Sequence, residues 1–455
     1  MLGEPDMRTE YDSLGQYDVP DDALYGIHSI RAYHNFRISD VPLSEYPELV
    51  HALAMVKKAA AGANRKLNVL SPEKATAIRN ACDELLAGHH HEHFIVDMVQ
   101  GGAGTSTNMN ANEVIANLAL KSLGFEYGDY QNIHPNDDVN RSQSTNDVYP
   151  TALRLAILQK MDGLTEEHQR LCDAFEAKAR EFDGIAKVGR TQLQDAVPMT
   201  LGQEFRSFAN TIEEDIERLK EVSKLLLEVN LGGTAIGTGV NTPANYTDVA
   251  VSELQKVSGF PLRSARNLVE ASSDLGAFVA FSGILKRVAV KLSKICNDLR
   301  LLSSGPRAGL GEIRLPAVQA GSSIMPGKVN PVIPEVVNQV AFQVIGNDLT
   351  VTMAAEAGQL QLNAMEPIAF LNILQSIRIL KRAMACLTDR CILGIEADEM
   401  RCRGLLENSL AMATSLVPQI GYEKSALVAK HALNNEISIA QALEELKIDA
   451  QPLIP

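Results

Sequence analysis

One regular apolar stripe limits what this chain can fold into more than any other feature. Its members recur every three or four positions: Phe205, Phe208, Ile212, Ile216, Leu219, Val222, Leu226 and Val229. This spacing places them on one face of an α-helix about seven turns long. An apolar face of that length must be covered by other helices, because water would otherwise solvate it at a high cost. The stripe therefore predicts a bundle of long helices.

A second apolar face follows Pro334, a residue suited to the first turn of a helix. It is formed by Val337, Val340, Ala341, Val344 and Ile345. Gly-rich segments at 101–104, 232–239 and 321–327 are expected to be loops between helices, and turn formers in the first forty residues predict a hairpin or loops. Strand and helix patterns do not alternate, which argues against a parallel sheet. The predicted fold class is all-α.

Composition excludes several classes of function. The chain has 42 Lys and Arg against 56 Asp and Glu, and its net charge of −14 would repel a nucleic-acid backbone. We find no apolar run near the roughly 18 residues of a membrane span and no signal-peptide pattern. The six cysteines form no CxxC pair, which indicates reduced thiols. We expect a cytoplasmic protein with no nucleic-acid or membrane partner.

Three polar segments interrupt the helical pattern. The first is Gly101–Asn110, with Ser142–Asp147 further on; the second is Gly189–Asp195; the third is Gly321–Pro331. They concentrate hydroxyls and amides, and the third adds Lys328. A small dicarboxylate needs such a set, because its oxygens accept many hydrogen bonds and its charge requires a cation.

The third segment, GSSIMPGKVNP, resembles the GSSxMPxKxNP signature of the aspartase/fumarase superfamily, and the other two segments follow in the family's order. The resemblance runs from Tyr25 to about residue 430. It implies a three-domain, all-α fold and a homotetramer whose long helices form a multi-helix core. Each active site would combine segments from three subunits. The implied domains are 1–143 (helical, with a short hairpin), 144–397 (the central long-helix bundle) and 398–455 (a small, helical and shortened C-terminal domain).

Several details are more similar to aspartases than to fumarases. They are Thr145, Gln192, the run Pro331–Glu335 and the run Thr352–Gln359, whereas His134–Asn140 fits both groups. The resemblance implies a carbon–nitrogen lyase that converts L-aspartate to fumarate and ammonia without a cofactor. Two alternatives stay open: a fumarate hydratase or another C4-dicarboxylate lyase of the superfamily, and an inactive homologue kept as a binding protein.

The resemblance also implies roles for individual residues. Ser322 would be the general base, although a serine needs nearby donors or charge to act as an alkoxide. Lys328 and Asn330 would hold the α-carboxylate. Thr105, Ser144, Thr145 and Ser323 would grip the carboxylate that gains charge as an aci-carboxylate forms. Thr105, Asn146 and Gln192 would surround the amino group, Thr191 would contact the substrate, and Glu335 would hydrogen-bond Gln192.

Two further motifs resemble a metal site and a phosphate loop, but their sequences favour a loop and a turn. The run His89–His93 contains four histidines and a glutamate, but it lacks the spacing that places two ligands on one α-helical face. We predict a solvated loop there and no metal. Gly233–Gly239 resembles a phosphate loop, yet it follows a long helix and lacks the Gly-Lys-Ser/Thr ending. It is predicted to be a tight turn between helices.

Overall fold

Helices dominate residues 6–452, the part of the chain that the computed structural model describes, and the predicted all-α class is confirmed. The α-helices are α1 (Ile27–Asn35), α2 (Pro47–Lys66), α3 (Pro72–Leu86), α4 (Thr105–Ser122), α5 (Thr145–Glu181), α6 (Leu201–Ser223), α7 (Tyr246–Ser258), α8 (Leu268–Ala271), α9 (Gly276–Leu302), α10 (Val332–Glu356), α11 (Glu366–Arg390), α12 (Glu399–Glu407), α13 (Ala411–Thr414), α14 (Val417–Ile420), α15 (Tyr422–Asn435) and α16 (Ile439–Glu445). None of them is both long and apolar enough to cross a membrane.

The strands of this described part form four small two-stranded sheets. They are β1 (Met7–Asp12) with β2 (Gly15–Pro20), β3 (Ala186–Thr191) with β4 (Gln194–Thr200), β5 (Glu228–Val229) with β6 (Arg263–Ser264), and β7 (Ile313–Arg314) with β8 (Glu396–Ala397). Only β5 and β6 pair in parallel. The first pair is a hairpin in the region where a hairpin or loops were expected. The hairpin of β3 and β4 was not predicted.

The chain forms two compact units, each built from three separate stretches. Unit 1 contains residues 1–163, 218–286 and 344–378, and unit 2 contains residues 164–217, 287–343 and 379–455. Contacts between distant stretches define these units, so they do not follow the order of the sequence. The boundaries of the three implied domains stay a prediction.

The stripe that predicted the bundle lies mainly on α6. Phe205 and Phe208 are buried and pack with Phe175 and Phe182, with ring centroids 5.1–6.1 Å apart. Replacing Phe205 by alanine would destabilise this core by about 3–5 kcal/mol. The prediction of one helix to residue 229 was wrong at its end, because the chain leaves α6 after Ser223 for a 3-10 turn and β5. Apolar spacing alone cannot distinguish these elements from another helical turn.

Helix α10 carries two apolar faces. Val337, Ala341 and Val344 of the predicted face are each only 1% exposed, whereas Ile345, which was predicted on the same face, is 37% exposed. On the other face, Phe342 and Leu349 are 64% and 60% exposed. Exposing this many apolar side chains to water is unfavourable. The second face is therefore suited to contact with another chain.

Candidate active site

The first polar segment is shaped by a glycine turn ahead of α4. Gly104 has a φ of 84°, and a Cβ on it would lie 2.2 Å from a ring carbon of Tyr149. Only glycine tolerates both the conformation and the close approach. The next residue, Thr105, begins α4, and its hydroxyl donates to the carbonyl of Gly102 at 2.8 Å. The turn therefore leaves Thr105 exposed at the helix N-terminus.

The second part of this segment caps α5 and binds a distant turn. The hydroxyl of Ser144 accepts the N–H of Asn146 at 3.3 Å, and Asp147 Oδ1 accepts the N–H of Ser144 at 2.9 Å. Asp147 Oδ2 accepts the N–H groups of Gly232 at 2.8 Å and Thr234 at 3.1 Å. One buried carboxylate thus holds Ser144 and the 232–239 turn together. This turn was predicted to lie between two helices, whereas it connects strand β5 to helix α7.

A cavity of about 380 Å³ lies within unit 1 beside these residues. Its lining is formed by Asn108, Met109, Asn136, Asn140, Ser142, Gln143, Ser144, Thr145, Thr234, Ala235, Val240 and Asn241. The amide of Asn108 donates to Thr145 Oγ1 and to Asn140 Oδ1, both at 3.1 Å. Most of the lining side chains end in amides or hydroxyls, so the cavity is suited to a small polar anion.

A buried cation supports the wall of this cavity. Lys57 Nζ donates to Asn140 Oδ1 at 2.9 Å and to Gln143 Oε1 at 3.0 Å. Burial lowers the pKa of Lys57 to about 7 and raises the pKa of Asp147 to about 6. The attraction between their opposite charges opposes both shifts. Below about pH 7, Lys57 is therefore mainly protonated and places positive charge behind the neutral amides of the wall.

Sequence reasoning missed four residues of this arrangement: Lys57, Asn108, Asn140 and Gln143. Asn108, Asn140 and Gln143 lay inside segments that had been noted, although none of them was assigned a role. The signal that identifies them is their amide chemistry within a polar segment. Lys57 gave no signal, because one lysine in a helical stretch is usually solvated.

The second polar segment forms the tip of the β3–β4 hairpin. Gln192 and Leu193 occupy its two turn positions with φ values of 55° and 63°. Positive φ at both positions is typical of a type I′ turn, which normally uses Asn-Gly. Two side chains in this conformation cost free energy, as often occurs at functional sites. Thr191 and Gln192 are both exposed there.

Charges fix the base of this hairpin. The carboxylate of Glu312, which is buried, accepts a hydrogen bond from Arg190 at 2.9 Å and pairs with Lys187 at 3.1 Å. Lys187 also donates to Glu204 at 2.6 Å. A rigid base of this kind presents the strained tip in a defined orientation.

The third polar segment is a loop that closes on itself. The N–H of Gly321 donates to the carbonyl of Lys328 at 3.0 Å, and the amide of Asn330 donates to the carbonyl of Gly321. A Cβ on Gly321 would lie 2.2 Å from that Lys328 oxygen, so the closure requires glycine. Inside the loop, Ser322 Oγ accepts the N–H groups of Ile324 at 3.2 Å and Met325 at 2.9 Å.

Family models and known proteins match most of this chain. A family model described as a lyase matches residues 15–346, and one described as the fumarase C C-terminus matches residues 412–452. The chain is 60% identical to the aspartate ammonia-lyase of Pseudomonas canavaninivorans over 98% of its length and 94% of the relative's. It is 55% identical to that of Helicobacter pylori, over 97% and 94%. The chain belongs to the aspartate ammonia-lyase family.

Solved structures place this family within a wider fold group. A fumarate lyase:delta crystallin from Brucella melitensis, bound to cobalt, is 62% identical with a TM-score of 0.96, covering 98% of this chain and 97% of that one. A class II fumarase from Schistosoma mansoni is 34% identical with a TM-score of 0.92, covering 97% and 96%. The fold is thus similar to that of a fumarase, whereas the sequence is more similar to aspartate ammonia-lyases.

The residues implied by the family resemblance are divided between the two units. Thr105, Ser144, Thr145 and Asn146 lie in unit 1, while Thr191, Gln192, Ser322, Ser323, Lys328, Asn330 and Glu335 lie in unit 2. Ser144 and Thr145 line the unit 1 cavity, and the amide of Asn146 donates to the carbonyl of Ala235 in its wall at 2.7 Å. Thr105 is not among the lining residues of that cavity. The bond between Glu335 and Gln192 stays a prediction.

Proposed function

We propose that this member of the aspartate ammonia-lyase family converts L-aspartate to fumarate and ammonia, with Ser322 as the general base. The observation that carries the proposal is the pair of N–H groups, from Ile324 and Met325, that point at Ser322 Oγ. Two donors on one hydroxyl oxygen stabilise its alkoxide, because hydrogen bonds to a charged acceptor are roughly twice as strong. This supplies the donors that a serine base requires.

The elimination is balanced without an oxidant or a reductant. The Ser322 alkoxide takes one proton from C3 of aspartate on the face opposite the amino group. The electron pair of the C–H bond moves into the neighbouring carboxylate and forms a doubly charged aci-carboxylate. The pair then returns to form the C2–C3 double bond, and the ammonium group leaves as neutral ammonia with the electrons of the C–N bond. Stabilising the intermediate is the demanding step.

The polar residues divide this task. Thr105, Ser144, Thr145 and Ser323 would donate to the carboxylate that gains charge. Lys328 and Asn330 would hold the α-carboxylate. Thr105, Asn146 and Gln192 would surround the amine, and Thr191 would contact the substrate. The bond from the amide of Asn108 to Thr145 Oγ1 supports this assignment, because the threonine oxygen acts as the acceptor and its hydroxyl proton stays free to be donated to the substrate. The loop 321–331 would close over the bound substrate and exclude water.

Assembly into a homotetramer completes the proposal, with each active site built from segments of three subunits. The exposed face of α10 supports it: Phe342, Ile345, Leu349 and Met353 recur every three or four residues and are 37–64% exposed. A continuous apolar face on a long helix is typical of a helix-bundle interface. The cytoplasm is the proposed compartment, since the six cysteines are free thiols and such thiols persist in a reducing environment.

Fumarate hydratase is the alternative activity, because a fumarase that is 34% identical to this chain has a similar fold. The two activities differ in whether an amine or a hydroxide leaves. An assay of ultraviolet absorbance at the fumarate band, run once with L-aspartate and once with L-malate, separates them. We expect fumarate from aspartate alone. Fumarate from malate alone would assign the chain to the hydratases, and no turnover of either substrate by a folded tetramer would favour an inactive homologue.

A further inference from the structure

We propose that the turn at residues 90–93 binds one transition-metal ion of the zinc type through His90, Glu92 and His93. One donor atom from each of these side chains lies within 4.8 Å of the other two. Two imidazoles and a carboxylate form a common ligand set for zinc, with water in the remaining position. None of the three residues belongs to the proposed catalytic set, so this inference does not depend on the proposed function.

The backbone explains why a pattern unsuited to an α-helix works here. His91–His93 form a short 3-10 turn, and His90 precedes it with a φ of 64°. The N–H of His93 donates to the carbonyl of His90 at 3.2 Å and closes this turn. The imidazole rings of His90 and His93 then lie with their centroids 6.4 Å apart. The sequence predicted a solvated loop without a metal, because the ligand spacing does not suit an α-helix. That criterion does not apply to this turn.

A neighbouring carboxylate prepares His90 to act as a ligand. His90 Nε2 lies 3.0 Å from Glu84 Oε2, at the end of α3. When Nε2 carries the proton and donates it to Glu84, the lone pair of Nδ1 is free for a metal. Carboxylates commonly orient metal-binding histidines in this way, and losing one typically costs ten- to a hundredfold in affinity. Glu84 and Glu92 also surround the histidines with negative charge, which attracts a cation.

The side chains can close on an ion at small cost. Ligands around zinc lie roughly 3.4 Å apart when each bond is about 2.1 Å long, so donor atoms within 4.8 Å of one another must approach by up to about 1.4 Å. Glu92 is exposed and the two histidines are half-buried, so rotation of side chains suffices. His93 Nδ1 accepts the N–H of Leu24 at 3.3 Å, and coordination would break this bond. Leu24 is buried, so the loss of an acceptor for its N–H is the main cost of binding.

Equilibrium dialysis of the untagged, full-length protein against Zn²⁺ tests the site, because a histidine tag would itself bind the ion. We expect wild type to bind one Zn²⁺ per chain. His90→Ala and His93→Ala should weaken binding at least tenfold, and Glu84→Gln about tenfold. His89→Ala is the matched control: it removes an adjacent, exposed histidine outside the cluster and should bind normally. Zn²⁺ should also raise the melting temperature of wild type and His89→Ala, but not that of His93→Ala.

Three results would overturn the proposal. The first is that wild type shows no saturable Zn²⁺ binding, and the second is that wild type and His93→Ala bind Zn²⁺ with equal affinity. The third is that His89→Ala loses as much Zn²⁺ affinity as His93→Ala. Excess Mg²⁺ gives an independent check, since it prefers all-oxygen ligands and should leave zinc bound. Displacement by Mg²⁺ would show that oxygen ligands elsewhere hold the ion.

Discussion

The hydroxyl of Ser322 accepts the backbone N–H of Met325 at 2.9 Å, so the proposed base already lies against a donor. Ser322→Ala removes the base without changing the loop backbone. We expect turnover to fall by about two to four orders of magnitude while tetramer assembly and the binding of an unreactive dicarboxylate persist. Met325→Leu keeps the N–H donor and should retain near-normal turnover. Near-normal turnover in Ser322→Ala would mean that another group takes the proton.

Lys328 is exposed on the same loop and is proposed to pair with the α-carboxylate. Lys328→Ala should lower kcat/KM by roughly ten- to a hundredfold or more, because hydrogen bonds to charged groups contribute about 1.5–3 kcal/mol. Steady-state kinetics with aspartate measures the loss. Lys424→Ala, at an exposed lysine on α15, is the control and should match wild type. Unchanged kinetics in Lys328→Ala would remove this residue from the site.

Glu366 is buried in unit 1, and burial raises its pKa from 4.5 to about 8 while Arg154 opposes the shift. The folded protein therefore keeps a proton that the unfolded chain loses above pH 4.5. Stability from this group is complete below pH 4.5 and is lost as the pH rises through 8. The isosteric Glu366→Gln should lack this dependence, so melting curves should show wild type losing stability relative to the variant between pH 5 and 8.

The control for this pH series is Glu356→Gln, which changes an exposed carboxylate on α10. Its melting temperature should follow that of wild type at every pH. A constant stability difference between wild type and Glu366→Gln from pH 5 to 8 would mean that Glu366 is already ionised in the folded protein and paired with Arg154. In that case the variant should also be strongly destabilised, because a buried arginine would lose its partner.

The exposed face of α10 predicts how the subunits associate. Leu349→Glu introduces a charge into that face and should shift the protein from a tetramer to smaller species, because an unpaired charge in an apolar interface is costly to bury. Light scattering after size-exclusion chromatography measures the mass. Leu433→Glu on α15 is the matched control, since Leu433 is 63% exposed against 60% for Leu349. Tetramers in both variants would show that α10 is not the interface.

Mixed tetramers test whether the active site is shared. Thr191→Ala and Ser322→Ala tetramers should each be nearly inactive. When they are unfolded, mixed in equal amounts and refolded, roughly a quarter of the sites should draw both functional residues from intact segments, one half times one half. If each site took both residues from one subunit, every site would carry a lesion, and the activity would stay at the level of the two variants.

The sequence alone determined the features that depend on local order along the chain. Apolar spacing identified the helical bundle through residues 205–219, and a contiguous motif identified the loop around Ser322. Both are readable because neighbours in the chain decide them: a helix repeats every 3.6 residues, and a tight loop bonds to itself. The end of α6 was predicted wrongly, because the spacing of apolar residues continues unchanged into a 3-10 turn and a strand.

Tertiary structure decided what distant residues do together. Lys57 reaches Asn140 and Gln143 across more than eighty positions, and nothing near Lys57 in the sequence indicates such partners. His90 and His93 are brought together by the turn that follows α3, in which His90 has a positive φ and its carbonyl accepts the N–H of His93. Packing brings such groups together, and packing depends on all the helices at once, so local pattern cannot reveal it.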